Sequence, residues 1–205
     1  MVRSRPGGMP WVATSSVDRP SLTFSVSSPI IAAMSALRDF LRTPTGRFVA
    51  LYAVILTAGF TVLALDPVND SVVNGYTTFV AHQARLALLL LGERATVEGQ
   101  VLASPRFSVA IHNGCNGLEA ILIFVCGVLA FPSPWRRKLL GMAVGFVAIQ
   151  LFNIVRIVAL FYTGVFRPDW FGVSHVFVWQ SLVVVFAAGL WVFWVQRYAR
   201  PEATS

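Results

Sequence analysis

Four long apolar stretches of this chain, residues 47–65, 116–131, 139–163 and 175–195, carry at most one charged side chain each. A helix needs ~20 apolar residues to cross a bilayer core. A helix also satisfies its own backbone hydrogen bonds where no water is present. The rest of the composition agrees: 56% of the residues are hydrophobic and 12% charged, about half the charged fraction of a soluble domain. The expected fold class is an all-α polytopic membrane protein of about four to five transmembrane helices.

The formal net charge of +7 does not indicate a nucleic-acid partner. The cations gather beside the apolar stretches, as Arg38, Arg42 and Arg47, then Arg136, Arg137 and Lys138, then Arg197 and Arg200. Loops retained on the cytoplasmic side are marked in this way. Counting them places both termini inside and four spans across an inner membrane. Residues 72–91 (His82, Gln83 and Arg85 interrupt their apolar run) are then read as an amphipathic helix in the interface, with a fifth span as the alternative. Residues 95–111 alternate with β-branched side chains around Ser104-Pro105, which predicts a short extracytoplasmic β-hairpin.

Residues 1–45 are rich in Ser, Pro, Arg and Gly, have no sustained apolar run and lack a secretory signal pattern. They are read as a disordered cytoplasmic tail, with Met34 as an alternative start. Residues 46–197 form the membrane domain and 198–205 a short cytoplasmic tail.

The same topology gathers a chemical set. Cys115, in the run His112-Asn113-Gly114-Cys115-Asn116-Gly117-Leu118-Glu119, tops the second span at its outer end, and His175 opens the fourth at that end. Arg156 lies seven residues before Thr163, about 10 Å below the outer end of the third span by helical rise, and an arginine can snorkel much of that distance. An imidazole beside a thiol can take its proton and return it to a leaving amine. A guanidinium there can lower the thiol pKa or hold an oxyanion. Arginine inside a span is costly and by default functional or paired; its structural alternative is an ion pair with Glu119.

Asn116 supports the Cys115 loop. Gln150 and Asn153 form a polar stripe with Arg156, expected to hydrogen-bond between helices. Trp179, one turn past His175 and on its face, shapes a groove, and His112 ranks second as base. Cys126 is read as packing. It lies eleven positions from Cys115, about 16 Å along a helix, so no disulfide is expected.

AsnGlyCysAsnGlyLeuGluAla at 113–120, AsnIleValArgIle at 153–157 and the His175 segment with TrpGln at 179–180 together resemble the exosortase/archaeosortase family, most like its exosortase H branch, over roughly residues 45–197. That resemblance implies a membrane-embedded cysteine peptidase/transpeptidase with Cys115 as nucleophile, Arg156 as essential arginine and His175 as acid/base. It implies substrates that are exported proteins ending in a short motif, a hydrophobic helix and a basic tail, cleaved at the periplasmic face through a thioacyl intermediate. The acyl acceptor is left unspecified, and no metal or organic cofactor is expected; membrane lipid is the surrounding partner. Two other readings use the same residues. One is a non-enzymatic transport or assembly subunit built on a buried Arg156–Glu119 pair. The other, a haem carrier, fails to pair His82, His112 and His175 across spans at matched depth.

Overall fold

The computed structural model describes residues 29–199. The expectations for residues 1–28 and 200–205 lie outside them. The chain divides into a unit ending at Arg38 and a compact unit from Asp39 onward. Residues 29–42, expected in an irregular tail, are instead helical as α1 (Pro29–Arg42). Apolar side chains at 31, 34, 37 and 41 recur at the three- and four-residue spacing of a helix face.

The compact unit is an all-helical membrane protein with one small sheet. Helix α2 (Pro44–Leu63) begins where Thr43 caps it, its hydroxyl accepting from the Gly46 N–H at 2.9 Å, with Pro44 in the first turn. Almost all of α2 faces outward, and it touches the bundle where Phe48 stacks on Trp191 at 5.5 Å and Gly59 meets Leu122. Asp66-Pro67 ends that span as expected and opens α3 (Asp66–Val68). A wide turn with i→i+5 hydrogen bonding (Asn69–Val73) leads directly into α4 (Asn74–Leu90).

Thr77, Val80, Ala81, Ala84 and Leu88 form the buried stripe of α4 against α6 and the sheet, while Phe79, Leu86 and Leu90 face out. The polar residues that break its apolar run serve the interior. Gln83 accepts from Gln150 Nε2 at 2.6 Å, and Arg85 Nε donates to the Ala95 carbonyl at 3.0 Å.

The expected hairpin is a three-stranded antiparallel meander of β1 (Thr96–Glu98), β2 (Val101–Ala103) and β3 (Ser108–Ala110). The first expected strand breaks because Gly99 (φ +60°) turns the chain back, pairing Thr96 with Ala103; β2 then pairs Val101 with Ala110. Leu102 is fully buried on α4, and the Arg106–Glu93 ion pair at 3.1 Å ties the sheet to the end of that helix.

Helix α5 (Leu118–Ala130) crosses the centre, followed by α6 (Trp135–Phe166). A last helical column consists of α7 (Pro168–Val173), a second wide turn (Ser174–Trp179), α8 (Gln180–Trp194) and a third wide turn (Val195–Ala199). Among the described residues three helices are long and apolar enough to cross a membrane: α2, α6 and the column from Pro168 to Ala199. The fourth expected span is the 13-residue α5, shorter because Gly114 and Gly117 hold the residues before it in turns.

Ala120, Ile121, Phe124, Ile149, Val183 and Ala187 pack α5, α6 and α8 together, and Phe152 stacks on Phe186 at 4.4 Å. A second core under the sheet holds Val80, Leu102, Ile111, Ile157 and Phe161. Truncating a buried phenylalanine such as Phe161 to alanine would cost about 3–5 kcal/mol.

Candidate active site

The loop that carries Cys115 is shaped by two glycines and two polar side chains. Gly114 (φ +87°) and Gly117 (φ +83°) adopt backbone angles that β-carbon-bearing residues avoid. Between them the Cys115 N–H donates to the His112 carbonyl at 2.9 Å. Asn116 is fully buried: its Oδ1 accepts from the Leu118 N–H at 3.0 Å, and its Nδ2 donates to Thr77 Oγ1 at 2.9 Å. It therefore holds the start of α5 and pins the loop to α4. Glu119 reaches back from the first turn of α5, and its carboxylate accepts the Gly114 N–H at 2.8 Å.

Around this loop the structure brings together the three groups expected from topology. Cys115 Sγ is hydrogen-bonded to His175 Nε2, sixty residues away in sequence. Arg156 Nη2 lies 3.8 Å from the same sulfur, and Nη1 donates to the Gly114 carbonyl at 3.4 Å. The sulfur is nearly enclosed, with Cys115 8% exposed and Arg156 only 1%. Phe171 stacks parallel on the His175 ring at 6.0 Å, fixing its plane.

Arg156 does not form the ion pair with Glu119 that the structural alternative requires. Among the described residues the two salt bridges are Arg42–Asp39 and Arg106–Glu93. Glu119 is turned to the Gly114 amide, and the guanidinium finds its hydrogen-bond acceptor in Gln180 Oε1 at 2.9 Å. Arg156 Nε has no hydrogen-bond partner among the described residues.

Gln180 takes the place expected for Trp179. In an α-helix the fourth residue after His175 shares its face. The column is a wide i→i+5 turn over Ser174–Trp179, so the fifth residue returns to that face instead. Among the described residues Trp179 makes no hydrogen bond or ring stack. No sequence signal marks such a turn, although Gln180 already belongs to the TrpGln pair that carried the resemblance.

The polar stripe of α6 divides its labour. Gln150 makes the interhelical bonds, accepting from Tyr76 Oη at 2.5 Å and donating to Gln83. Asn153 is fully buried without a hydrogen-bond partner among the described residues. It packs under Gly117, where a β-carbon would lie 2.9 Å from Asn153 Cγ. Thr77, absent from the sequence expectations, anchors Asn116 and hands its own proton to the Val73 carbonyl at 2.7 Å. His112 is exposed and gives the cysteine only its carbonyl. Cys126 is buried and free, as its packing role requires.

The transmembrane exosortase family model (EpsH type) matches residues 8–195, from the N-terminal segment to just past the end of α8. This chain belongs to the transmembrane exosortase family. The match begins upstream of residue 45, the start of the resemblance in sequence. Comparison with curated proteins and with solved structures found no match.

Burial pushes the Cys115 thiol above its ordinary pKa; the Arg156 charge and the Cys115–His112 backbone hydrogen bond pull the other way, and Glu119 adds to the rise. The guanidinium alone therefore does not make the sulfur a resting thiolate. Removing its proton would take a base, and His175 Nε2 is in contact with the sulfur. Among the described residues no group of three or more His, Cys, Asp or Glu side chains is arranged to hold a metal ion.

Proposed function

We propose that this exosortase is a cysteine peptidase/transpeptidase that cleaves C-terminal sorting signals of exported proteins at the outer face of the inner membrane. The contact of Cys115 Sγ with His175 Nε2, on elements sixty residues apart and with Arg156 beside the same sulfur, carries the reading.

Sγ attacks the scissile carbonyl carbon as His175 Nε2 takes the thiol proton. The carbonyl π pair becomes an oxyanion, for which the Arg156 guanidinium is the adjacent fixed cation. As the oxyanion re-forms the carbonyl, the C–N bond breaks and His175 returns the proton to the leaving amine. A thioester on Cys115 remains. A nucleophile deprotonated by His175, an acceptor amine or hydroxyl or water, then attacks it and releases the thiolate, which recovers the proton. Glu119, Asn116 and Asn153 position the loop, and Gln180 holds Arg156 in line.

Membership of the family and the clustering of cations beside Arg47, Arg137 and Arg197 support the inner-membrane orientation. The transport or assembly reading loses its central element, since Glu119 and Arg156 are each occupied elsewhere.

The test is co-expression with an exported protein ending in a motif, a hydrophobic helix and a basic tail. Wild type should shorten it, and Cys115→Ala should leave it full-length while still inserting in the membrane. Normal processing by that variant would overturn the proposal.

A further inference from the structure

Strand β3 lies at an edge of the sheet, hydrogen-bonded to β2 on one side. The Ser104 N–H donates to the Phe107 carbonyl at 2.9 Å, and the Ile111 N–H donates to the Gln100 carbonyl at 2.9 Å. Antiparallel pairs alternate between hydrogen-bonded and open ones, so Phe107, Val109 and Ile111 direct their backbone groups to β2. Ser108 and Ala110, opposite Ala103 and Val101, direct theirs away from the sheet. Ser108 is exposed and Ala110 half-buried, and the outward groups of both have no hydrogen-bond partner among the described residues.

The edge is held firmly. Phe107 packs on the α6 backbone, where a β-carbon at Gly164 would lie 2.2 Å from its Cζ, and its ring meets Phe161 at 6.0 Å and Phe171 at 5.4 Å. Val109 and Ile111 pack into the core under the sheet. The edge also borders the candidate site from both of its ends. At one end Phe171 passes from the Phe107 ring to a stack on His175. At the other the chain runs from Ala110 through Ile111 and His112 into the loop of Cys115.

Sheet edges are commonly blunted by charged side chains, proline or bulges. The opposite edge, β1, carries Glu98, whereas residues 107–111 hold no charge, proline or glycine. Ser108 and Ala110 thus offer two N–H and two C=O groups over about 7 Å of strand. An occupant must present donors and acceptors at the spacing of a backbone, as an extended peptide does. Addition of a peptide strand to a sheet edge is a recurrent mode of recognition.

We propose that β3 receives the substrate segment beside the scissile bond as an added strand, paired to Ser108 and Ala110. The inference rests on the peptidase reading above, in which the scissile carbonyl reaches Cys115 Sγ and its neighbours in the substrate must pass close by. Backbone pairing then sets the register of the scissile bond. Side chains alternate across a strand, so every second substrate side chain faces the protein and carries the specificity.

The probe is a fluorescein-labelled synthetic peptide from the exported protein of the co-expression test, spanning its motif and hydrophobic helix. Binding to full-length Cys115→Ala in detergent is read by anisotropy, and cleavage by wild type is read by mass spectrometry. Single N-methyl groups are placed on successive backbone nitrogens of the motif. Methylation at alternate positions should weaken binding about three- to tenfold, the loss of one hydrogen bond, and the intervening positions should tolerate it.

Ser108→Pro deletes one outward N–H, and an edge strand accepts proline there because the ladder to β2 is kept. It should weaken binding by a similar factor and raise KM with kcat little changed. The methyl scan leaves the protein untouched, so it decides the question if Ser108→Pro lowers the melting temperature. Absent binding, a scan without the two-residue period, or unaltered binding by a folded Ser108→Pro overturns the proposal. Cleavage with a flat scan would remove the added strand and keep the peptidase, and periodic binding without cleavage would do the reverse.

Discussion

Gln180 Oε1 accepts a 2.9 Å hydrogen bond from Arg156, five residues beyond the histidine that touches Cys115. The wide turn between them delivers an imidazole and an amide oxygen to one face, one for the thiol and one for the guanidinium. Gln180→Ala leaves a buried cation without this acceptor, a loss of about 1.5–3 kcal/mol. The expected outcome is a ~10–100-fold fall in kcat with little change in KM, and recovery in Gln180→Glu, which keeps an acceptor oxygen. Steady-state kinetics on a sorting-signal peptide in detergent would check it, and an unchanged kcat would remove the positioning role.

His175→Ala should fold, because the ring is only half-buried. Cleavage should slow by about 10²–10⁴-fold, the usual contribution of a general base. Since hydroxide must then remove the thiol proton, the residual rate should climb steeply with pH. A flat residual profile would assign the base elsewhere.

Arg156→Lys retains the charge but not the fork that spans the Gly114 carbonyl, the Cys115 sulfur and Gln180. Processing should fall nearly as far as in Arg156→Gln. Full activity in the lysine variant would reduce the arginine's role to its charge.

The Cys115 thiol is pushed up by burial, so it titrates above the ordinary cysteine value of about 8.5. Carboxymethylation of Cys115 in the resting protein should therefore rise through and beyond pH 8.5, with no plateau near neutrality. A plateau near pH 6–7, followed by mass spectrometry of the labelled peptide, would indicate a preformed thiolate and contradict this sign.

Gly117→Ala asks a β-carbon to accept φ +83° and to sit 2.9 Å from Asn153 Cγ. Left-handed geometry alone costs about 1–2 kcal/mol. A lower melting temperature and a larger loss of processing are expected, because the loop carrying Cys115 must shift. Gly172→Ala, where nothing lies within 4 Å and φ is ordinary, serves as the comparison.

Much of this architecture was readable from residues alone. Spans are legible because a bilayer imposes length and apolarity together, and α2, α6 and the last column follow that rule. Cys115, His175 and Arg156 were legible as a set because counting cations fixed which helix ends share a side. Helix α1 was obscured by the Ser- and Pro-rich composition before it, and its apolar face is too short to read as a span. The β meander was compressed into a hairpin because Gly99 is a turn residue with no partner pattern of its own. Gln180 was displaced by Trp179 because periodicity assumes a uniform helix, and one wide turn rotates everything after it. The Glu119–Arg156 ion pair, the structural alternative for the arginine, rests on depth alone, whereas the Gly114 amide, a backbone group invisible in side-chain patterns, competes for the carboxylate.

Helix α5 has 13 residues and reaches only about 20 Å of a hydrocarbon core roughly 30 Å deep. If the far end of α5 lies at one face of that core, the cysteine at its head lies about 10 Å below the other. On the proposed chemistry, a thioester at that depth would be open to acceptors that travel within the lipid as well as to water. The length of one helix would then bear on which nucleophile completes the reaction.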